Sequence, residues 1–114
     1  MVQEIALEGS GRWFVVFKDN NRWQCGIYVP EYFSKDEVAY IEKHDGPELF
    51  YLVDGKVVLV LSADGKNFVE VPMKKGIIYI VDEWHNAYRP NGSKGIVLVI
   101  EKTNIKTEFL NICD

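Results

Sequence analysis

The sequence predicts an all-β fold, a small antiparallel sandwich or barrel, and three observations carry that expectation. Short runs rich in β-branched and aromatic residues recur from one end to the other. Turn-forming groups separate them: Asp19-Asn20-Asn21, Asp54-Gly55, Asp64-Gly65-Lys66-Asn67 and Asn91-Gly92. No stretch shows a helical period long enough for a packed helix, and evenly spaced short strands without helices favour closed antiparallel architectures.

In order, strands are expected at 13–17, 23–29, 38–44, 49–53, 56–61, 68–71, 77–81, 86–89 and 96–101. A single helical turn is expected over 34–37, where Ser34 can cap and Glu37 follows three residues later. The tail at 106–113 reads equally well as strand or helix. Two segments, Val57-Val58-Leu59-Val60-Leu61 and Ile96-Val97-Leu98-Val99-Ile100, are apolar without alternation. One face of each can line the interior, so the other needs a cover, from a second sheet or a second subunit. This predicts a homodimer.

At 114 residues the chain is expected to be one domain, 1–114, large enough for a real core. Hydrophobic residues make up 47% and the formal net charge is −4, with both signs scattered, so no basic stripe points to nucleic acid. No apolar run approaches the roughly 18–20 residues of a membrane span. Met1-Val2-Gln3-Glu4-Ile5 lacks the pattern of a secretory signal. A cytoplasmic protein is therefore expected, with Cys25 and Cys113 as reduced thiols.

The coordinating chemistry is concentrated in Glu42-Lys43-His44-Asp45-Gly46-Pro47-Glu48 and Asp82-Glu83-Trp84-His85, which hold both histidines of the chain. Glu42 and His44 are two apart and share one face of a strand. Glu48 opens the next strand after Gly46-Pro47, and His85 is read as closing the strand that begins at Ile77. Two imidazoles with one or two carboxylates are the ligand set of a divalent transition metal. Asp45, Asp82 and Glu83 read as turn residues. Alternation carries the inward face from His44 to Tyr40, from Glu48 to Phe50 and Leu52, and from His85 to Ala87 and Arg89. Arg89 then becomes the candidate for holding a substrate carboxylate or phosphate, because its fork suits planar anions. Trp84 is read as an aromatic on the rim. Of the pairs Trp23/Cys25 and Gln24/Gly26, either can face inward.

These motifs resemble those of the cupin superfamily. Its first motif runs Gly, His-x-His, three or four residues, Glu, six residues, Gly. Here Glu42-Lys43-His44 is followed after three residues by Glu48 and after six more by Gly55, with Glu42 in place of the first histidine. The second motif, Gly, a strand, Pro-x-Gly-x-x-His, is matched by Gly76 and the strand after it, which then runs into Asp82-Glu83-Trp84-His85 without the Pro-x-Gly. The resemblance covers about residues 23–101. It implies an antiparallel double-stranded β-helix, the jelly-roll barrel of cupins, with His44, Glu48, His85 and Glu42 as metal ligands. It further implies a divalent Mn, Fe, Ni or Zn ion and a small polar organic substrate. The chemistry would be of dioxygenase, decarboxylase or sugar-isomerase type, with Glu42 or Tyr40 moving a proton and Arg89, Phe50 and Trp84 at the substrate. The departures from both motifs keep a second expectation open, a non-catalytic binding or sensing module or a metal-free isomerase.

Overall fold

Apart from two hairpins that stay within one sheet, consecutive strands of this chain alternate between two facing sheets, as in a double-stranded β-helix. The computed structural model describes residues 1–9 and 11–112. The strands are β1 (Trp13–Asp19), β2 (Trp23–Tyr28), β3 (Tyr40–His44), β4 (Glu48–Gly55), β5 (Val58–Ser62), β6 (Val69–Pro72), β7 (Ile78–Val81), β8 (Trp84–Tyr88), β9 (Gly95–Lys102) and β10 (Thr107–Asn111). One five-stranded sheet has the order β1-β2-β9-β4-β7 and the other β10-β3-β8-β5-β6. Every named pairing is antiparallel. No helix among the described residues is long and apolar enough to cross a membrane.

The core between the sheets is the inward face of alternating strands. Phe50 and Leu52 of β4, Val97 and Val99 of β9, Leu59 of β5, Ala87 of β8 and Val81 of β7 form one buried cluster with Val57 and Met73. β4 shows the alternation plainly, with Glu48, Phe50 and Leu52 buried and Leu49, Tyr51 and Val53 half-buried. Gly55 ends it at φ 79°, and a Cβ there would run into the Lys94 carbonyl, so the closing glycine of the first motif is required by the backbone. Asn20 and Asn91 also take positive φ in the turns where they were expected. In the hairpin tip between β5 and β6, Asp64 accepts hydrogen bonds from the Ser62 hydroxyl, from the Lys66 and Asn67 amides and from the Asn67 side chain.

Several expectations need correction. The outer face of β5 needs no second subunit: Val58 and Val60 are 8% and 0% exposed within this chain. The segment after β2 runs beside the end of β8, with Tyr32 bridged to Tyr88, the Arg89 amide bonded to the Tyr32 carbonyl, and Val38 buried. The helical turn is a 3-10 turn at Lys35–Glu37 whose Ser34 side chain makes no cap; Glu37 instead accepts from the Phe33 amide at 2.8 Å. The ambiguous tail forms β10, an edge strand against β3. Cys25 is a free thiol, and Cys113 lies outside the described residues.

β9 differs from β5. Its outward Leu98 and Ile100 stay half-buried, and they lie in register with Tyr51 and Leu49 of β4, which in turn face Ile78 and Ile80 of β7. Ile78 and Ile80 are 57% and 64% exposed, and Phe14 at the far edge is 61% exposed. The outside of this sheet is thus an apolar surface running from one edge strand to the other.

Candidate metal centre

The two histidines enter the same cavity from neighbouring strands. β3 and β8 pair with Glu42 opposite His85, and His44 follows Glu42 on the same face of β3. Glu48 comes from the opposite sheet, at the start of β4. His85 does not close the strand that begins near Ile77: β7 stops at Val81, Asp82-Glu83 makes the turn, and His85 is the second residue of β8 in the other sheet. Dropping the Pro-x-Gly shortens this turn, yet His85 still faces inward because β8 begins two residues earlier than expected.

Glu48 Oε1 lies 2.7 Å from His44 Nε2 and 2.9 Å from His85 Nε2. Glu42 Oε1 stands further back, at 3.7 and 3.8 Å from the same two nitrogens. The far nitrogen of each ring is anchored. His44 Nδ1 is 2.8 Å from the Thr107 hydroxyl, and His85 Nδ1 is 2.8 Å from the Glu83 carbonyl oxygen. A carbonyl can only accept, so His85 carries its proton on Nδ1, and its Nε2 lone pair points into the cavity. Despite the short separations, Glu48 Oε1 and His85 Nε2 are both buried without a hydrogen-bond partner. Two lone-pair atoms facing each other at that distance, in a site where Glu48 and His85 are each 5% exposed, repel unless a cation or proton lies between them.

Ionisation reflects the same crowding. Burial opposes charge on Glu48, but imidazoles of His44 and His85 that carry a proton on the cavity side donate to it and outweigh burial, holding the carboxyl down to about 2. Burial also works against a charged His44, and the carboxylates of Glu48 and Glu42 reverse this and raise the ring's pKa. Two donor groups have ligand atoms all within 4.8 Å of one another: Glu42, His44 and His85, and His44, Glu48 and Glu101. Imidazoles and carboxylates together suit a divalent transition ion, and the anchored far nitrogens are the arrangement metal-binding histidines adopt.

The cavity measures about 340 Å³. Phe50 and Val99 form part of its apolar wall, and the Phe50 ring meets His85 edge-on at 5.7 Å. Of the remaining residues read from sequence, three stand elsewhere. Arg89 does not line this cavity. β8 ends at Tyr88, and beyond it the Arg89 guanidinium donates to the Pro30 carbonyl at 2.7 Å and the Ser93 carbonyl at 2.9 Å, with its carbon 5.0 Å from the centre of the Phe33 ring. Tyr40 packs at 6.3 Å from Tyr32 and 5.8 Å from Phe109, outside the lining. Trp84 leaves β8 on the face opposite His85, toward Gly65 of the hairpin. Asp45 is a turn residue, paired with Lys106 through both its amide and its carboxylate.

Of the two pairs left open on β2, Gln24/Gly26 faces inward, and further lining residues were not singled out in the sequence. Gln24 and Tyr28 face inward from β2, Glu101 from β9, and Thr107 from β10. Trp13 lies flat across Gly26: a Cβ on Gly26 would stand 2.5 Å from the indole, so the glycine makes room for this wall of the mouth. Arg12 is at the rim, 3.3 Å from Glu31. The Tyr28 phenol is half-buried against the cavity wall, its desolvation pushes its pKa up, and its hydroxyl donates to Asn86 Oδ1 at 3.4 Å. Glu101 is pushed up to about 7, chiefly by burial and then by the neighbouring Glu48, with Gln24 pulling the other way.

No family model and no curated protein matches this sequence. Solved structures do match. A cupin-2 domain protein from Shewanella frigidimarina superposes with a TM-score of 0.59 at 15% identity, over 83% of each chain. An uncharacterised conserved protein with a double-stranded β-helix domain from Klebsiella pneumoniae gives 0.62 at 17% identity, over 90% of this chain and 87% of that one. The iron(II) form of the enzyme HppE, in complex with substrate, gives 0.66 at 13% identity, over 85% of this chain; this chain spans 56% of that protein's length. Sheet order and these likenesses together show that the chain has the double-stranded β-helix fold, the fold of these cupin-domain structures.

Proposed function

We propose that this protein is a metal-dependent cupin that acts on a small polar organic molecule bound between its sheets, with a divalent Mn, Fe, Ni or Zn ion held by His44, His85, Glu48 and Glu42. The observation that carries the reading is the pair of buried, unpartnered atoms, Glu48 Oε1 and His85 Nε2, facing each other across the cavity. The iron form of HppE, a neighbour in fold, supports it by analogy.

A divalent ion held by these residues would supply Lewis acidity toward a substrate oxygen. The chain does the rest. Phe50, Val99 and Trp13 exclude water from one side of the cavity. Tyr28 keeps its proton and offers a hydroxyl donor to a substrate oxygen. Glu42 is less buried than Glu48 and stands back from the imidazoles, which suits it to take a proton from substrate and pass it to solvent. Arg12, at the rim, replaces Arg89 as the cation nearest an entering anion. Dioxygenation, decarboxylation and sugar isomerisation all fit such a centre.

A second reading rests on the way one carboxylate spans both imidazoles, as a proton-sharing trio in a metal-free isomerase or binding module would. Elemental analysis by plasma mass spectrometry, with His44→Ala as control, separates the two. About one transition ion per chain, lost in the variant, is expected. No metal in either protein, even after reconstitution, overturns the metal reading.

We also infer that a second copy of this chain covers the outside of the β1-β2-β9-β4-β7 sheet. Its strip from Phe14 through Leu98 and Tyr51 to Ile78 and Ile80 carries no Asp, Glu, Lys or Arg. A chain of net charge −4 can pair with itself there without opposing like charges.

A further inference from the structure

Glu101 is a buried carboxylate that the site as drawn above leaves unused. It is 8% exposed on the inward face of β9. The β2–β9 register places Gln24 opposite it, and the β4–β9 register, with Leu49 opposite Ile100, brings Glu48 alongside it on the other flank. Gln24, Glu101 and Glu48 thus form a row across three adjacent strands. Like charges directly opposite on neighbouring strands destabilise a sheet, more so when both are buried. Gln24 Nε2 donates to Glu101 Oε2 at 2.6 Å. A neutral amide fixes the carboxylate's orientation without cancelling its charge, whereas a Lys or Arg would have neutralised it. What this row still needs is positive charge on its inward side, and there the donor atoms of His44, Glu48 and Glu101 lie within 4.8 Å of one another, beside the unpartnered Glu48 Oε1 and His85 Nε2.

We propose that Glu101 is a ligand of the metal centre, supplied from β9, and that Gln24 is the residue that positions it. The proposal rests on the metal reading above. It gives a site of two imidazoles and three carboxylates, drawn from both sheets, and an oxygen-rich set of this kind favours Mn²⁺ or Fe²⁺ over softer ions. It also gives Glu48 and Glu101 a reason to be buried side by side.

The test is calorimetric titration of metal-free protein with Mn²⁺, with the electron paramagnetic resonance spectrum of bound Mn²⁺ as a second readout. Glu101→Gln keeps the shape and the Gln24 contact but removes the charge. Its affinity for Mn²⁺ is expected to fall by tenfold or more and its spectrum to change, while its metal-free melting temperature stays at or above wild type because the like-charge pair is gone. Gln24→Met is expected to weaken Mn²⁺ binding about 10–100-fold, as loss of an outer partner does. In a double-mutant cycle that loss should vanish in the Glu101→Gln background, which a merely structural role for Gln24 would not produce. Wild-type Mn²⁺ affinity and an unchanged spectrum in Glu101→Gln overturn this inference and leave the metal reading standing. Failure of the wild type to bind Mn²⁺, Fe²⁺, Ni²⁺ or Zn²⁺ overturns both.

Discussion

His85 Nε2 and Glu48 Oε1 sit 2.9 Å apart, both buried, and no hydrogen bond joins them. The Glu83 carbonyl, by accepting a hydrogen bond from Nδ1–H, turns the lone pair of the neutral His85 ring toward an anion. With the ring neutral the fold therefore holds a local repulsion, which a proton on Nε2 or a cation bound to both atoms relieves.

Adding a divalent transition ion should accordingly raise the melting temperature. Binding to the folded state alone stabilises by about 2.7 kcal/mol at a hundredfold excess of ion over Kd, which is several degrees for a domain of this size. In His85→Ala the increment should disappear. An undiminished increment in that variant, followed by differential scanning calorimetry, would remove His85 from the site.

The metal-free protein should be most stable in mild acid. Glu48 falls to about 2 in the fold, below the ordinary carboxylate value of about 4.3, so its contribution is present above about 4.3 and lost as pH falls through about 2. His44 is raised, so its contribution is full below about 6.5 and lost as pH climbs through the raised value. Glu101, raised to about 7, likewise favours the fold at low pH and ceases to do so as pH passes that point. In chelator, the urea midpoint should drop between pH 5 and pH 8. With Mn²⁺ present the trend should weaken or reverse, because the ion replaces the proton on His44 and binds better as pH rises. A midpoint that rises with pH in chelator would contradict these assignments.

Local spacing was enough for much of this. His44, Glu48 and Gly55 lie within one hairpin's length; alternation and the cupin resemblance put the two side chains on the inward face, and the backbone at Gly55 needs positive φ. Glu101 was hidden because its meaning depends on register: only when β9 lies between β2 and β4 do Gln24 and Glu48 flank it. The inward Val97-x-Val99-x-Glu101 alternation was the available signal, masked by Leu98 and Ile100, which are equally apolar. Arg89 failed for the opposite reason. Extending alternation past Tyr88 assumed a strand where the chain enters the Pro90–Gly92 turn. The burial of the outer face of β5 was illegible too, since an apolar run without alternation does not say whether this chain or another covers it.

Sedimentation should give twice the 13.1 kDa chain mass at micromolar concentration. Ile80→Lys puts a charge at a position 64% exposed on an edge strand, so it costs the isolated subunit little. Across a symmetric contact it would place charges in an apolar patch on both copies. The variant should sediment as a monomer with a wild-type far-ultraviolet spectrum. A wild type that is already monomeric ends the argument for this interface.

Arg89→Ala separates stability from function. The guanidinium ties the end of β8 to the Pro30 and Ser93 carbonyls and covers the Phe33 ring. Its loss leaves two carbonyls without their charged donor and should cost about 1–3 kcal/mol, read as a lower urea midpoint. The proposed metal centre lies at the other end of β8, beside His85, so Mn²⁺ affinity should stay at the wild-type value. If affinity or substrate capture fell while the midpoint held, Arg89 would return to the site where alternation had first placed it.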